Sequence, residues 1–221
     1  MNDARERVLA RVRNALGPRD GSAAASALAE AHLAAHAHGP RPAMPADLVT
    51  RFMRRARDME STVERIESVD AVPMHVARYL DALKFPPQLA VQSRAGVCWP
   101  EFAALDWAGA GLAVEARPTL GDDRLGITGA FCGIAETGTL VVLSGAETPT
   151  ATTLLADTHV AVLRAGRIVA GMEEAFALIA REHGRLPRAV NLISGPSRTG
   201  DIEQTIVLGA HGPFRVHILV V

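Results

Sequence analysis

Four short apolar runs constrain what this chain can fold into more than any other feature: Thr137–Leu143 (TGTLVVL), His159–Leu163, Ala189–Ile193 and Phe214–Val221. Each has the near-continuous β-branched and leucine content of a strand buried on both faces. Ser61–Ile66, Gln88–Gln92 and Leu112–Arg117 read as further strands, and Arg167–Ala170 as the second arm of a hairpin joined to 159–163 across Ala165-Gly166. Helical spacing separates them. Asp70 caps a helix running to about Leu83, and a second covers 172–183, with Met172, Ala175, Phe176 and Ile179 on one face and Gly184 as its stop. Strands alternating with helices predict an α/β domain built on a largely parallel sheet with an antiparallel edge. Aromatic residues make up 4% of a chain that is 48% hydrophobic, so Ala, Val, Leu and Ile must fill the core of those layers.

The first 59 residues read differently. Residues 3–16 form an amphipathic helix stopped by Gly17-Pro18, and 17–45 is rich in Ala, Gly and Pro. A helix over about 45–59 carries Leu48, Val49, Phe52, Met53 and Ala56 opposite four arginines. The expected organisation is therefore a helical arm and linker over 1–59 and an α/β domain over 60–221.

Charge and cysteine usage narrow the function classes. Lys plus Arg is 23 against 24 Asp plus Glu, a net charge of −1, which lacks the cationic excess that nucleic-acid binding needs. Cys98 and Cys132 stand alone, so cysteine encodes neither an iron–sulfur cluster nor a four-ligand zinc site. His32 and His36 are one helical turn apart without a third ligand, and no metal site is expected. No G-x-G-x-x-G follows a strand and no G-x-x-x-x-G-K-[ST] occurs, so no cofactor is assigned. No run reaches the roughly 18 to 20 apolar residues of a membrane span, and the charged N-terminus lacks the apolar core of a secretory signal; a cytoplasmic location is expected.

Three loops carry chemistry. SGPSRTGDIE (194–203) follows the 189–193 strand, and Thr199 or Asp201 caps an expected helix beginning at Asp201, which would aim backbone N–H groups at an anion. Ser194, Gly195, Ser197, Arg198 and Thr199 would add hydroxyls and a forked donor. The alternative is a plain helix cap with Arg198 paired to Asp201 or Glu203. In GITGAFCGIAETGTLVVLSG (126–145), Glu136 precedes Thr137, Gly138 and Thr139 at the start of a buried strand. It suits a nucleophile, a base or a structural ion-pair partner, because an unpaired buried carboxylate is costly. In LGAHGP (208–213), glycines hold His211 in a turn, either presented to a site or simply solvated. The hydroxyl-rich loop Ser144–Thr153 is placed either beside the same pocket or at the surface.

GITGAFCGIAETGTLVVLS, SGPSRTGDIE and GAHGP, in that order, resemble the lactate utilization protein C family, whose members carry the LUD domain. The resemblance implies a three-layer fold related to the sugar-phosphate isomerase and coenzyme A transferase group. It also implies a non-redox subunit of a multi-protein system oxidising L-lactate to pyruvate, partnered by iron–sulfur proteins and binding a small carboxylate or other anionic ligand. Glu136 and His211 would then handle protons. Thr137, Gly138, Thr139, Ser194, Gly195, Ser197, Arg198, Thr199, Asp201 and Glu203 would bind the ligand. The chain departs from the family pattern at Phe131, where an Asp is common. A free-standing acyl-transferase-like or isomerase-like enzyme, and a structural or regulatory subunit, are the alternatives.

Overall fold

A computed structural model describes residues 2–16, 23–35, 39–202 and 205–221. The chain divides into two compact units, Met1–Arg41 and Pro42–Val221. The smaller unit holds helices α1 (Asn2–Leu16) and α2 (Ala23–Ala34). On α1, Val8, Val12 and Leu16 recur every four residues and form one exposed apolar stripe. Alanine, the strongest helix former, dominates α2.

In the larger unit, α3 (Leu48–Asp58) begins at Asp47, whose carboxylate accepts from the Thr50 backbone N–H at 3.0 Å. Phe52 and Ala56, one turn apart, are fully buried, so this helix packs with the α/β domain although its sequence position suggested the arm. The boundary between compact units accordingly lies at 41/42.

Six parallel strands form the main sheet, in the order β1 (Thr62–Arg65), β12 (Arg215–Val220), β7 (Thr158–Leu163), β4 (Leu125–Gly129), β2 (Ala95–Cys98), β3 (Ala113–Ala116). Period-two alternation sends successive side chains to opposite faces. Val160, Val162 and Leu219 join a cluster with Val72, Val76 and Leu80 of α4 (Val72–Ala82). Their neighbours Ala161, Leu163, Ile218 and Val220 join Phe52 and Ala56 of α3. Apolar layers therefore cover both faces of the main sheet, as a parallel sheet requires.

A second sheet of four strands runs β8 (Ile168–Val169), β5 (Cys132–Ile134), β6 (Thr139–Leu143), β9 (Val190–Ile193). Its outer face packs Cys132, Ile134 and Val141 against Ala175, Leu178 and Ile179 of α7 (Met172–His183), which ends at Gly184 in the left-handed conformation. The expected hairpin over 159–170 is thus not formed. β7 and β8 belong to different sheets, because a 3-10 turn at Ala165–Arg167, anchored by Ala165 N–H to the Val221 carbonyl at 2.7 Å, redirects the chain. Residues 88–92, expected as a strand, lie instead in helix α5 (Pro87–Gln92), since prolines at 86 and 87 pre-set the backbone of a first helical turn. The adjacent strand is β2, where Gly96 lets the backbone of Leu125 close in.

Candidate functional site

Antiparallel pairing of β5 and β6 places Ile134 opposite Thr139 and leaves Ala135-Glu136-Thr137-Gly138 as the turn. Gly138 has φ 72° and donates its N–H to the Ile134 carbonyl at 2.9 Å. A Cβ there would overlap the backbone of Arg55 and Ala56, so the turn is pressed against α3. Glu136 is half-buried at the tip; its N–H donates to the Ala170 carbonyl at 3.0 Å, and its carboxylate has no partner among the described residues.

The register of β6 against β9 sets Leu140 opposite Ile193, which brings the next residues, Thr139 and Ser194, side by side. Their hydroxyls meet at 2.6 Å, and the Thr139 hydroxyl meets that of Thr137 at 2.6 Å. A hydroxyl both donates and accepts, so the three form a chain from the Glu136 turn to the exposed Ser194. Gly195, at φ 84°, sits on the Met59 carbonyl at the end of α3. Arg198 donates to that same carbonyl at 3.2 Å and pairs with Glu60 at 3.1 Å, both side chains being exposed.

The helix expected from Asp201 is absent. Arg198–Ile202 forms strand β10, paired antiparallel with β11 (Thr205–Leu208) at Arg198, Thr199 and Ile202, so no helix N-terminus is presented here. Arg198 accordingly finds its ion-pair partner among the described residues in Glu60, which no local spacing could show. Thr199 is buried in β10, Asp201 lies on its backbone, and Glu203 lies outside the described residues. Ser197 N–H donates to the Pro213 carbonyl at 2.9 Å and Gly209 N–H to the Ser197 carbonyl at 3.0 Å, which folds the exposed His211 turn back onto the 194–199 loop. The structure thus links the turn at 136–139 to the loop at 194–199 through Thr139 and Ser194, and that loop to the turn at 209–213 through Ser197. No group of three metal-ligating side chains occurs among the described residues.

A cleft away from these loops was not anticipated. Its residues are scattered through the sequence: Trp99 and Glu101 after β2, Gly129 and Phe131 at the end of β4, Ser144 and Thr148 after β6, and His183 on α7 line a cleft of about 340 Å³. The loop Ser144–Thr153 therefore contributes here. It lies at the far end of β6 from Glu136, a strand of five residues and roughly 16 Å at ~3.3 Å per residue. Desolvation pushes the Glu101 carboxyl above its ordinary pKa, with Arg164 opposing the rise. The sequence signal available was Gly129: a Cβ there would overlap the Glu101 carboxylate.

Residues 100–221, more than half of the sequence, match the LUD domain. Lactate utilization protein C of Halalkalibacterium halodurans is 39% identical over 100 residues, 44% of each chain. Lactate utilization protein C of a Geobacillus species is 38% identical over 101 residues, 44% of this chain and 42% of the relative. These matches span less than half the length of either relative. A crystal structure of a DUF162 family protein from Deinococcus radiodurans superimposes with a TM-score of 0.56 at 23% identity, covering 81% of this chain and 99% of that one, and shares the α/β fold. No helix among the described residues is long and apolar enough to cross a membrane. With the three motif loops falling inside the matched residues, the chain belongs to the LUD domain family.

Proposed function

We propose that this protein serves in lactate utilization, as the non-redox subunit of a multi-protein system that oxidises L-lactate, and that it binds a small carboxylate at the rim formed by residues 136–139, 194–199 and 211. The observation that carries this reading is the hydroxyl chain Thr137–Thr139–Ser194 beside an exchangeable arginine. An exposed ion pair such as Arg198–Glu60 contributes about 0–1 kcal/mol, so a ligand carboxylate replaces Glu60 at little expense. The guanidinium fork then holds the anion, and the hydroxyl chain orients it. Glu136, whose carboxylate has no partner among the described residues, is the group available to take a proton from a hydroxy acid, with His211 at the same rim. Electrons leave through the iron–sulfur partner proteins that the family resemblance implies. The exposed stripe Val8, Val12 and Leu16 on α1 suits contact with those partners in the cytoplasm.

The relatives named for lactate utilization support the pathway, and the rim geometry supports the ligand class. The test is lactate-dependent reduction of a dye acceptor in extracts lacking this protein, restored with wild type, Glu136→Gln or Arg198→Gln at matched abundance and melting temperature. Restoration by wild type alone is the expected result. Full restoration by both variants would show that the rim binds nothing the reaction needs.

A further inference from the structure

The main sheet changes direction once between neighbours: β2 leads outward to β3 on one side, and β4, β7 and β12 lead outward on the other. In open α/β sheets the crevice outside the carboxyl ends of the strands at such a reversal is where ligands are held. The 340 Å³ cleft lies there, at the ends of β2 and β4, and is within the ~300–1,000 Å³ range of small-molecule sites.

Its walls are fixed before any ligand arrives. Trp99 forms the floor, and its indole N–H is spent on the Pro149 carbonyl at 3.3 Å. The Phe131 ring lies 4.5 Å from the Arg167 guanidinium and 5.5 Å from the His183 ring. Arg167 is itself held by two bonds to Glu182 at 2.6 and 2.9 Å and donates to the Phe131 carbonyl at 2.9 Å. An aromatic wall braced in this way is pre-organised for a flat partner.

The two hydroxyls of the cleft each hold a backbone partner, whereas the side chains of Glu101 and His183 have no hydrogen bond among the described residues. The Ser144 hydroxyl accepts from the Ala189 N–H at 2.8 Å, and that of Thr148 donates to the Leu143 carbonyl at 2.8 Å. The Glu101 carboxylate lies against Gly129 and accepts no hydrogen bond from the described residues. Glu101 is exposed as a residue, so its carboxylate is open to a ligand that brings an N–H donor, and its negative charge disfavours an anion.

We propose that this cleft is a second ligand site, distinct from the rim at 136–139, and that it takes a planar amino-substituted nitrogen heterocycle, the class to which purine and pterin rings belong. The ring lies on Trp99 and Phe131, and its N–H group donates to Glu101. Binding here does not depend on the rim or on lactate.

The test is calorimetric titration of the purified full chain with 2-aminobenzimidazole, which is flat, bicyclic and rich in N–H donors. 1-Naphthoate, flat but anionic, and cyclohexylammonium, a donor without a flat ring, serve as comparators. Wild type is expected to bind 2-aminobenzimidazole one to one, with each comparator weaker by about tenfold or more, the worth of one charge-assisted hydrogen bond or one aromatic contact. Glu101→Gln is expected to lose about tenfold for the same reason, and Phe131→Leu, which leaves the carboxylate in place, a smaller factor. No binding up to about 1 mM, equal affinity for 1-naphthoate or for cyclohexylammonium, or unchanged affinity in Glu101→Gln would each overturn the proposal. The comparator titrations use only the unaltered protein, so the result stands even if a variant fails to fold.

Discussion

Gly195 and Met59 meet backbone to backbone: with φ at 84°, Gly195 lies so close to the Met59 carbonyl that a Cβ would overlap its oxygen. Gly138 makes the same approach to Ala56 one turn earlier along α3, at φ 72°. The glycines of two motif loops are thus the surfaces on which α3 is seated. Alanine at either position combines a disfavoured backbone with a steric clash. A loss of about 1–3 kcal/mol is expected for each variant, or roughly 2–4 °C in Tm per kcal/mol for a chain of this size. Gly166→Ala, where no atom lies within 4 Å and φ is ordinary, is the control and should leave Tm unchanged. Thermal denaturation of the three variants decides the matter.

Acid should weaken the fold before its carboxylates titrate. His159 is fully buried on β7 with its Nε2 2.8 Å from the Thr128 hydroxyl, and burial lowers its pKa to about 4. His217, stacked on Tyr79 at 4.0 Å, is lowered to about 4, chiefly by burial. The unfolded chain takes up both protons near pH 6.5 and the folded chain only near pH 4, so the unfolded state binds more protons between those values. Stability is therefore complete above about pH 6.5, falls as pH drops towards 4 and levels off below. The change is about 3 kcal/mol per histidine, at ~1.4 kcal/mol per pKa unit. Urea midpoints from pH 7.5 to 4.5 should show the slope, and His159→Asn should remove about half of it. A midpoint constant from pH 6.5 to 5 would contradict the assignment.

The hydroxyl chain is expected to be coupled. Thr139→Val removes the buried central hydroxyl and leaves both neighbours short of a partner, at about 1–2 kcal/mol, while Ser194→Ala at the exposed end should lose about 0.5 kcal/mol. The double variant should be less destabilised than the two losses added, because the second deletion acts on a chain already broken. Strict additivity in denaturant unfolding would mean that the hydroxyls do not interact.

Both cysteines should be inert in the native state. Burial raises the pKa of Cys98 and of Cys132 to about 11, and the thiolate is the reactive form. A chromogenic disulfide reagent at pH 8 should label neither until denaturant is added, when two thiols react. Rapid labelling of a native thiol would show an opening of β2 or β5 that the packing does not suggest.

The strands at 139–143, 158–163, 190–193 and 215–220 were legible because each is a continuous apolar run, and α7 because its apolar face and its glycine stop agree. Strands β2, β4 and β5 were not, since Gly96, Gly126, Gly129 and Gly133 dilute their apolar content; these glycines earn their place only by contacts with Leu125, Thr152, Glu101 and Phe52. The pairing of β10 with β11 stands where a helix is expected from Asp201, because a capping pattern is local, whereas strand pairing needs a partner further along the chain.

By itself the sequence determined the α/β class, the family and the three loops that carry polar chemistry, because these depend on periodicity and on short contiguous motifs. Only the tertiary structure decided that the strands divide among a six-stranded, a four-stranded and a two-stranded sheet, that Arg198 answers to Glu60, and that Glu101, Gly129 and Phe131 share a cleft. Those relations join residues about 30 to 140 positions apart. No local spacing encodes them; they follow from strand order and register, which are set when the two faces of the main sheet are buried.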